Sequence, residues 1–165
     1  MRAVVQRVEH AELIVVDDES GTERAHAAIG QGLVCLIGIE TDDTDDVLAW
    51  MVRKITGMRI FEDGDGKMNR SIDDLVNSDD KSGSGSTGVL LVPNFTVAGR
   101  ARKGRRPDFT TAKHPSEAGP MFERLVEAVR TASTGYAVTS GVFGAHMHVR
   151  LTNYGPITIW LDSNE

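Results

Sequence analysis

Leu33-Val34-Cys35-Leu36-Ile37-Gly38-Ile39 is an apolar run of seven residues, free of charge and opened by Gly30-Gln31-Gly32. It reads as a central strand, because its length suits a strand and its sides carry nothing to face water with. The rest of the chain must therefore cover it. Residues 2–8 and 12–16 read as two strands before it, and 25–29 as a strand that pairs back after a turn at Glu19-Ser20-Gly21. The spacing then changes from two to that of a helix. Thr44 precedes Asp45 and Asp46, carboxylates that suit a first helical turn, and Val47, Leu48, Met51, Val52 and Ile55 follow on one face up to Gly57.

Further on, Met58–Phe61 reads as a short strand and Asp63-Gly64-Asp65-Gly66 as a turn. Residues 78–88 are a Ser/Gly-rich stretch of low complexity and read as a flexible loop. A second helix is expected over about 117–132, with Met121, Phe122, Leu125, Val126 and Val129 inward. Its start is open between a Ser116 cap and Gly119-Pro120. Strands are expected at 136–140, 145–152 and 157–161. The order of strands, helix, strands, helix, strands predicts one α+β domain over residues 1–165, with a mixed or antiparallel sheet and two main helices.

Two motifs stand apart. Val92-Pro93-Asn94-Phe95-Thr96-Val97 reads as the end of a buried strand, and Asn153-Tyr154-Gly155-Pro156-Ile157-Thr158 as a polar turn between two strands. Proline removes a ladder donor, an X-Pro bond is the kind that adopts cis, and a glycine backbone approaches a ligand closely.

Together with Met1-Arg2-Ala3-Val4-Val5-Gln6-Arg7-Val8, Arg59-Ile60-Phe61-Glu62-Asp63, Gly66-Lys67-Met68-Asn69, Lys103-Gly104-Arg105-Arg106-Pro107 and Trp160-Leu161-Asp162, these motifs resemble the D-aminoacyl-tRNA deacylases across nearly the whole chain. The order and spacing of the motifs carry the resemblance. It implies a homodimer without cofactor or metal that hydrolyses D-aminoacyl-tRNA, and glycine mischarged on alanine tRNA. Gly155 and Pro156 would form a cis backbone wall supplied by the partner subunit, with Asn153 and Thr158 beside it. Such a wall excludes L side chains by steric conflict, whatever the side chain. Asn94, Phe95 and Thr96 would form the catalytic strand end, acting mainly through backbone amides, and Arg7 would brace the Gly-Pro loop across the dimer.

This chain departs from the family pattern, since Pro93 and Asn94 stand where Ser-Gln is usual. Proline lacks the N–H a serine would offer, and it resembles the animal-type relative that acts on L-alanyl-tRNA(Thr). That activity, and a non-catalytic tRNA-binding protein, are the two alternative readings.

Charge is distributed unevenly. The chain carries −6, yet Arg100, Arg102, Lys103, Arg105 and Arg106 fall within seven residues without an acid. A basic loop on an acidic body suits a small phosphate footprint, here tRNA. The lone Cys35 excludes an intrachain disulfide and reads as a core residue. His146 and His148 share one side of a strand with no third ligand in sight, and no Ser-His-Asp order or G-x-S-x-G motif is present. With no signal-like or membrane-spanning apolar run, a cytoplasmic protein is expected.

Overall fold

A computed structural model describes residues 1–76, 86–101 and 105–165. Most of the expected 78–88 loop, and both Arg102 and Lys103, lie outside the described residues. The elements in order are β1 (Arg2–Val16), β2 (Glu23–Ile29), β3 (Gly32–Gly38), α1 (Asp45–Gly57), β4 (Phe61–Glu62), β5 (Met68–Arg70), α2 (Ile72–Val76), β6 (Gly88–Pro93), a 3-10 turn (Phe95–Ala98), α3 (Pro115–Ala132), β7 (Ala137–Ser140) and β8 (His146–Asp162).

The apolar run forms β3, at the centre of a mixed sheet. It pairs antiparallel with β1 on one side and parallel with β6 on the other, and β6 pairs parallel with β7. Parallel neighbours need crossovers, and α1 and α3 supply them. Both faces of the sheet are buried. Leu33, Cys35, Ile37, Val89 and Leu91 meet the helices, whereas Val34, Leu90 and Val92 meet Val8, Leu13, Ile29 and the half-buried Met147 and Val149. The distal half of β1, with β2 and β8, therefore folds over the second face. Cys35 lies in the first of these layers, and burial pushes its thiol up to about 12.

The helices follow their sequence signals with one correction. Thr44 caps α1, its hydroxyl accepting from the Val47 N–H, and Leu48, Met51 and Ile55 are buried. The helix α3 starts earlier than expected. His114 caps it, Pro115 takes the first helical position, and Pro120 lies inside.

Two other corrections bear on the site. The expected strands at 2–8 and 12–16 are one strand, β1. Those at 145–152 and 157–161 are also one strand, β8, antiparallel to β1 on both sides of residues 154–157. The chain does not reverse at Gly155, so the expected turn is a bulge. Both apolar halves of β8 find partners on the same long β1, which removes any need for a hairpin. The expected 58–61 strand is instead the two-residue β4, paired with β5.

At one end of the sheet, the Met1 ammonium is held by Glu40, Asp43 and Ser163. Arg2 joins Asp162 at 2.8 Å and Glu40 at 3.3 Å, and donates to the Ala98 carbonyl at 3.3 Å. Burial would raise the Asp162 carboxyl, but the Asn164 N–H and Arg2 hold it below its ordinary value. This charged corner fixes the 3-10 turn onto the sheet.

Candidate active site

The strand β6 ends where its pairing ends. Gly141 N–H bonds to Leu91 O at 2.8 Å, beyond which Pro93 has no β7 neighbour to miss its N–H. Asn94 N–H then bonds to Ile37 O at 2.8 Å, and the chain tightens into the 3-10 turn. The 92–97 segment is thus strand only to Pro93. Asn94 Oδ1 accepts from the Thr96 N–H at 3.2 Å and from the Thr96 hydroxyl. Phe95 opens the turn, and the turn itself offers no acceptor to its N–H, as at any helix start. Its ring is 61% exposed and meets the edge of Phe109 at 5.2 Å.

Beside this turn lies a cavity of about 680 Å³, bounded by Ile37 and Pro93 on the sheet, Asn94 and Phe95 on the turn, Ala118 and Phe122 on α3, and residues 143–147. Its walls are mostly apolar. Lys113 stands in the lining with its ammonium donating to the Thr41 carbonyl at 2.7 Å.

The Gly-Pro motif forms a second feature on β8. Gln6 pairs with Thr158 and Val8 with Asn153, so residues 154–157 loop out opposite Arg7. Asn153 Nδ2 donates to Ile157 O at 3.0 Å and closes the neck, while Thr158 Oγ1 accepts from Gln6 Nε2 at 3.2 Å. The Gly155–Pro156 bond is cis, and Gly155 has φ +121°, a conformation that favours glycine.

Arg7 lies beneath this loop, 1% exposed. Its Nε donates to Tyr154 O at 3.1 Å, Nη1 to Ile60 O at 2.8 Å and Nη2 to Glu62 Oε1 at 3.2 Å, and the Tyr154 ring covers it at 4.5 Å. Contacts of this density are what a buried guanidinium needs to offset its lost hydration. Arg7 thus holds the Gly-Pro loop of its own chain.

The two features stay apart within one chain. Pro93 is level with Ile37 on β3, whereas Arg7 is level with Leu33. Four residues of strand separate these levels, about 13 Å at the usual rise. Neither Gly155 nor Pro156 lines the cavity.

The basic segment leaves directly from the 3-10 turn. Arg100 and Asp108 bond backbone to backbone at 2.8 and 2.7 Å, closing the base of the loop, and Arg105 and Arg106 are exposed. Thr110 and then Arg100 hold the Asp108 carboxyl below its ordinary value. His146 pairs with Asp18 at 3.3 Å and His148 with Glu23 at 3.1 Å. Among the described residues no group of three or more side chains is arranged to hold a metal ion.

A family model described as D-Tyr-tRNA(Tyr) deacylase matches residues 4–162. The chain belongs to that family. The D-aminoacyl-tRNA deacylase of Kosmotoga olearia is 47% identical over 165 residues, covering all of this chain and 99% of the relative. That of Thermotoga petrophila is 44% identical over 165 residues, with the same coverage. A solved structure titled c-Myc DNA Unwinding Element Binding Protein superposes with a TM-score of 0.84, at 36% identity and 99% coverage of both chains.

As a member of the D-Tyr-tRNA(Tyr) deacylase family, the chain keeps its Gly-Pro motif on the β1–β8 strand pair and Asn94 and Phe95 in the cavity lining. Phe122, expected only as an inward residue of the second helix, and Phe143, which sequence reasoning missed, stand in the cavity wall. Phe143 lay in Gly141-Val142-Phe143-Gly144, where flanking glycines around an aromatic were the available signal. Sequence reasoning also missed Glu62 and the Ile60 carbonyl as partners of Arg7.

Proposed function

We propose that this protein hydrolyses the ester between a D-amino acid and the 3′ ribose of tRNA, and also that of glycine mischarged on alanine tRNA. Family membership supports the reaction class. The observation that carries the stereochemical part is the looped-out Tyr154-Gly155-Pro156 backbone, seated on a buried Arg7. A wall of backbone rather than side chains rejects one hand for every amino acid. Glycine, with no side chain, passes it.

The site is completed by two copies of the chain. The cavity of one receives the terminal adenosine and acyl group, with Phe95 and Phe143 offering faces for flat rings. The Gly155–Pro156 loop of the other closes over the α-carbon. Attack of water on the ester carbonyl places negative charge on its oxygen, and the Phe95 N–H, at the start of the 3-10 turn, is the donor we assign to it. The tetrahedral intermediate then expels the ribose 3′ oxygen, which takes a proton and leaves as the hydroxyl. Such an activated ester needs positioning and charge stabilisation more than a nucleophilic side chain. Arg100, Arg102, Lys103, Arg105 and Arg106 approach the phosphates. A tRNA substrate supports a cytoplasmic assignment. No helix among the described residues is long and apolar enough to cross a membrane.

The test is single-turnover deacylation of D-Tyr-tRNA and L-Tyr-tRNA in EDTA. Rapid loss of the D ester with the L ester intact is the expected result. Cleavage of L-alanyl-tRNA(Thr) alone would transfer the assignment to the animal-type activity, and binding without cleavage to a non-catalytic tRNA-binding protein.

Thr96→Ala tests the backbone character of the site. Its hydroxyl is spent on Asn94 Oδ1, so its loss removes one neutral hydrogen bond, about 1 kcal/mol. The D-Tyr-tRNA rate constant should fall about fivefold at most. A loss of three orders of magnitude in that assay would mean that the hydroxyl takes part in the chemistry.

A further inference from the structure

We infer that Glu62 is a positioning residue that sets the stringency of the Gly155–Pro156 wall by holding Arg7 in place; this rests on the stereochemical reading above. Among the described residues, Glu62 is the only acid in an ion pair with Arg7. The two other acceptors of that guanidinium, Tyr154 O and Ile60 O, are neutral carbonyls. The atom that Glu62 holds is also the atom behind the wall. A Cβ placed on Gly155 would sit 3.0 Å from Arg7 Nη2, the same nitrogen that donates to Glu62 Oε1 at 3.2 Å. Where Glu62 puts Nη2 therefore decides how far the Gly155 backbone can retreat.

Glu62 is well placed to fix that position. It lies on β4, opposite Met68 of β5, and the base of this hairpin is tied by Arg59, which donates to the Asn69 carbonyl and side chain. The turn is closed by Asp63, whose N–H bonds to Lys67 O at 2.9 Å. The hairpin is thus a bracket, and Glu62 is the point at which it grips Arg7. Half of the Glu62 side chain is open to water, so the carboxylate remains hydrated while its Oε1 is committed to the guanidinium.

Without the carboxylate, Arg7 keeps Nε and Nη1 on their carbonyls, but Nη2 is released. The wall still stands and D esters are still cut, but its far side yields to an L side chain. The effect falls on discrimination and not on the chemical step.

The experiment measures enzyme-dependent hydrolysis of D-Tyr-tRNA and L-Tyr-tRNA by the wild type, Glu62→Ala and Glu62→Gln, with circular dichroism as the folding control. Glu62→Ala is expected to raise the L-to-D rate ratio about tenfold, the scale of one charge-assisted hydrogen bond. Glu62→Gln retains an oxygen acceptor of the same reach and should restore most of the discrimination. If the alanine variant does not fold, Glu62→Ser, whose hydroxyl is too short to reach Arg7, carries the test in its place. An unchanged ratio in folded Glu62→Ala, or in folded Glu62→Ser where it replaces the alanine variant, overturns the role of Glu62, whether the D rate is kept or both rates fall together. Failure of the wild type to distinguish the two hands would overturn the stereochemical reading itself, a separate outcome.

Discussion

Gly155→Ala should abolish the D-selective hydrolysis while leaving the protein folded. The methyl group would come within 2.8 Å of Ile157 Cγ1 and 3.0 Å of Arg7 Nη2, at a φ of +121° that L residues seldom adopt. Backbone and atoms below cannot both stay, so the loop must move outward, into the space the substrate α-carbon needs. A displacement of about 1 Å at a positioning group costs on the order of a hundredfold in rate. We therefore expect the single-turnover rate constant for D-Tyr-tRNA to fall by roughly two orders of magnitude or more. Because 154–157 are looped out of the β1 ladder, thermal unfolding should change little. A variant that kept near-wild-type rates would contradict the assignment of this loop to the site.

The largest effect on stability is expected from Arg7→Met. The replacement fills much of the volume but donates nothing. The buried Ile60 O and the part-buried Tyr154 O lose their partners, and a carbonyl left unsatisfied away from water costs about 1–3 kcal/mol. Glu62 is half exposed and can turn to water, so its freed charge adds little. A loss of about 3 kcal/mol is expected, read as a lower denaturant midpoint with an unchanged slope. Stability within about 0.5 kcal/mol of the wild type would show that the guanidinium is not the keystone of the loop. Activity should fall as well, since the loop then has no seat.

These two residues also show where reading the chain succeeded and where it failed. The central strand was legible because burial on two faces demands an unbroken apolar run. The start of α1 was legible because Thr44, Asp45 and Asp46 act within a single turn. The start of α3 was misplaced because the cap is a histidine, His114, which carries no strong capping signal. The merging of four expected strands into β1 and β8 was hidden for a different reason. A bulge and a hairpin draw on the same residues, Asn, Gly and Pro, and only the partner strand decides between them.

Arg7 was legible as a residue of interest only through the resemblance. Its partners Ile60 and Glu62 lie 53 and 55 positions away, beyond any local periodicity. The occupied state of the Thr96 hydroxyl was likewise invisible, since it depends on a rotamer of Asn94. Arg100 follows the 3-10 turn with its backbone paired to Asp108, and Arg105 and Arg106 are exposed, a placement that charge counting alone does not give.

The long β8 has one more consequence. Among the described residues it pairs with β1 alone, so its outer edge is a row of backbone donors and acceptors 17 residues long. Such an edge is a ready template for foreign strands and hence for aggregation. The bulge at 154–157 breaks that template near its middle, and proline removes one of its donors. A strand arriving from outside finds a register that fails partway along, whichever end it starts from. The four residues at the proposed substrate wall are thus also expected to guard the chain against fibre-like association, and straightening the bulge would be expected to endanger solubility together with selectivity.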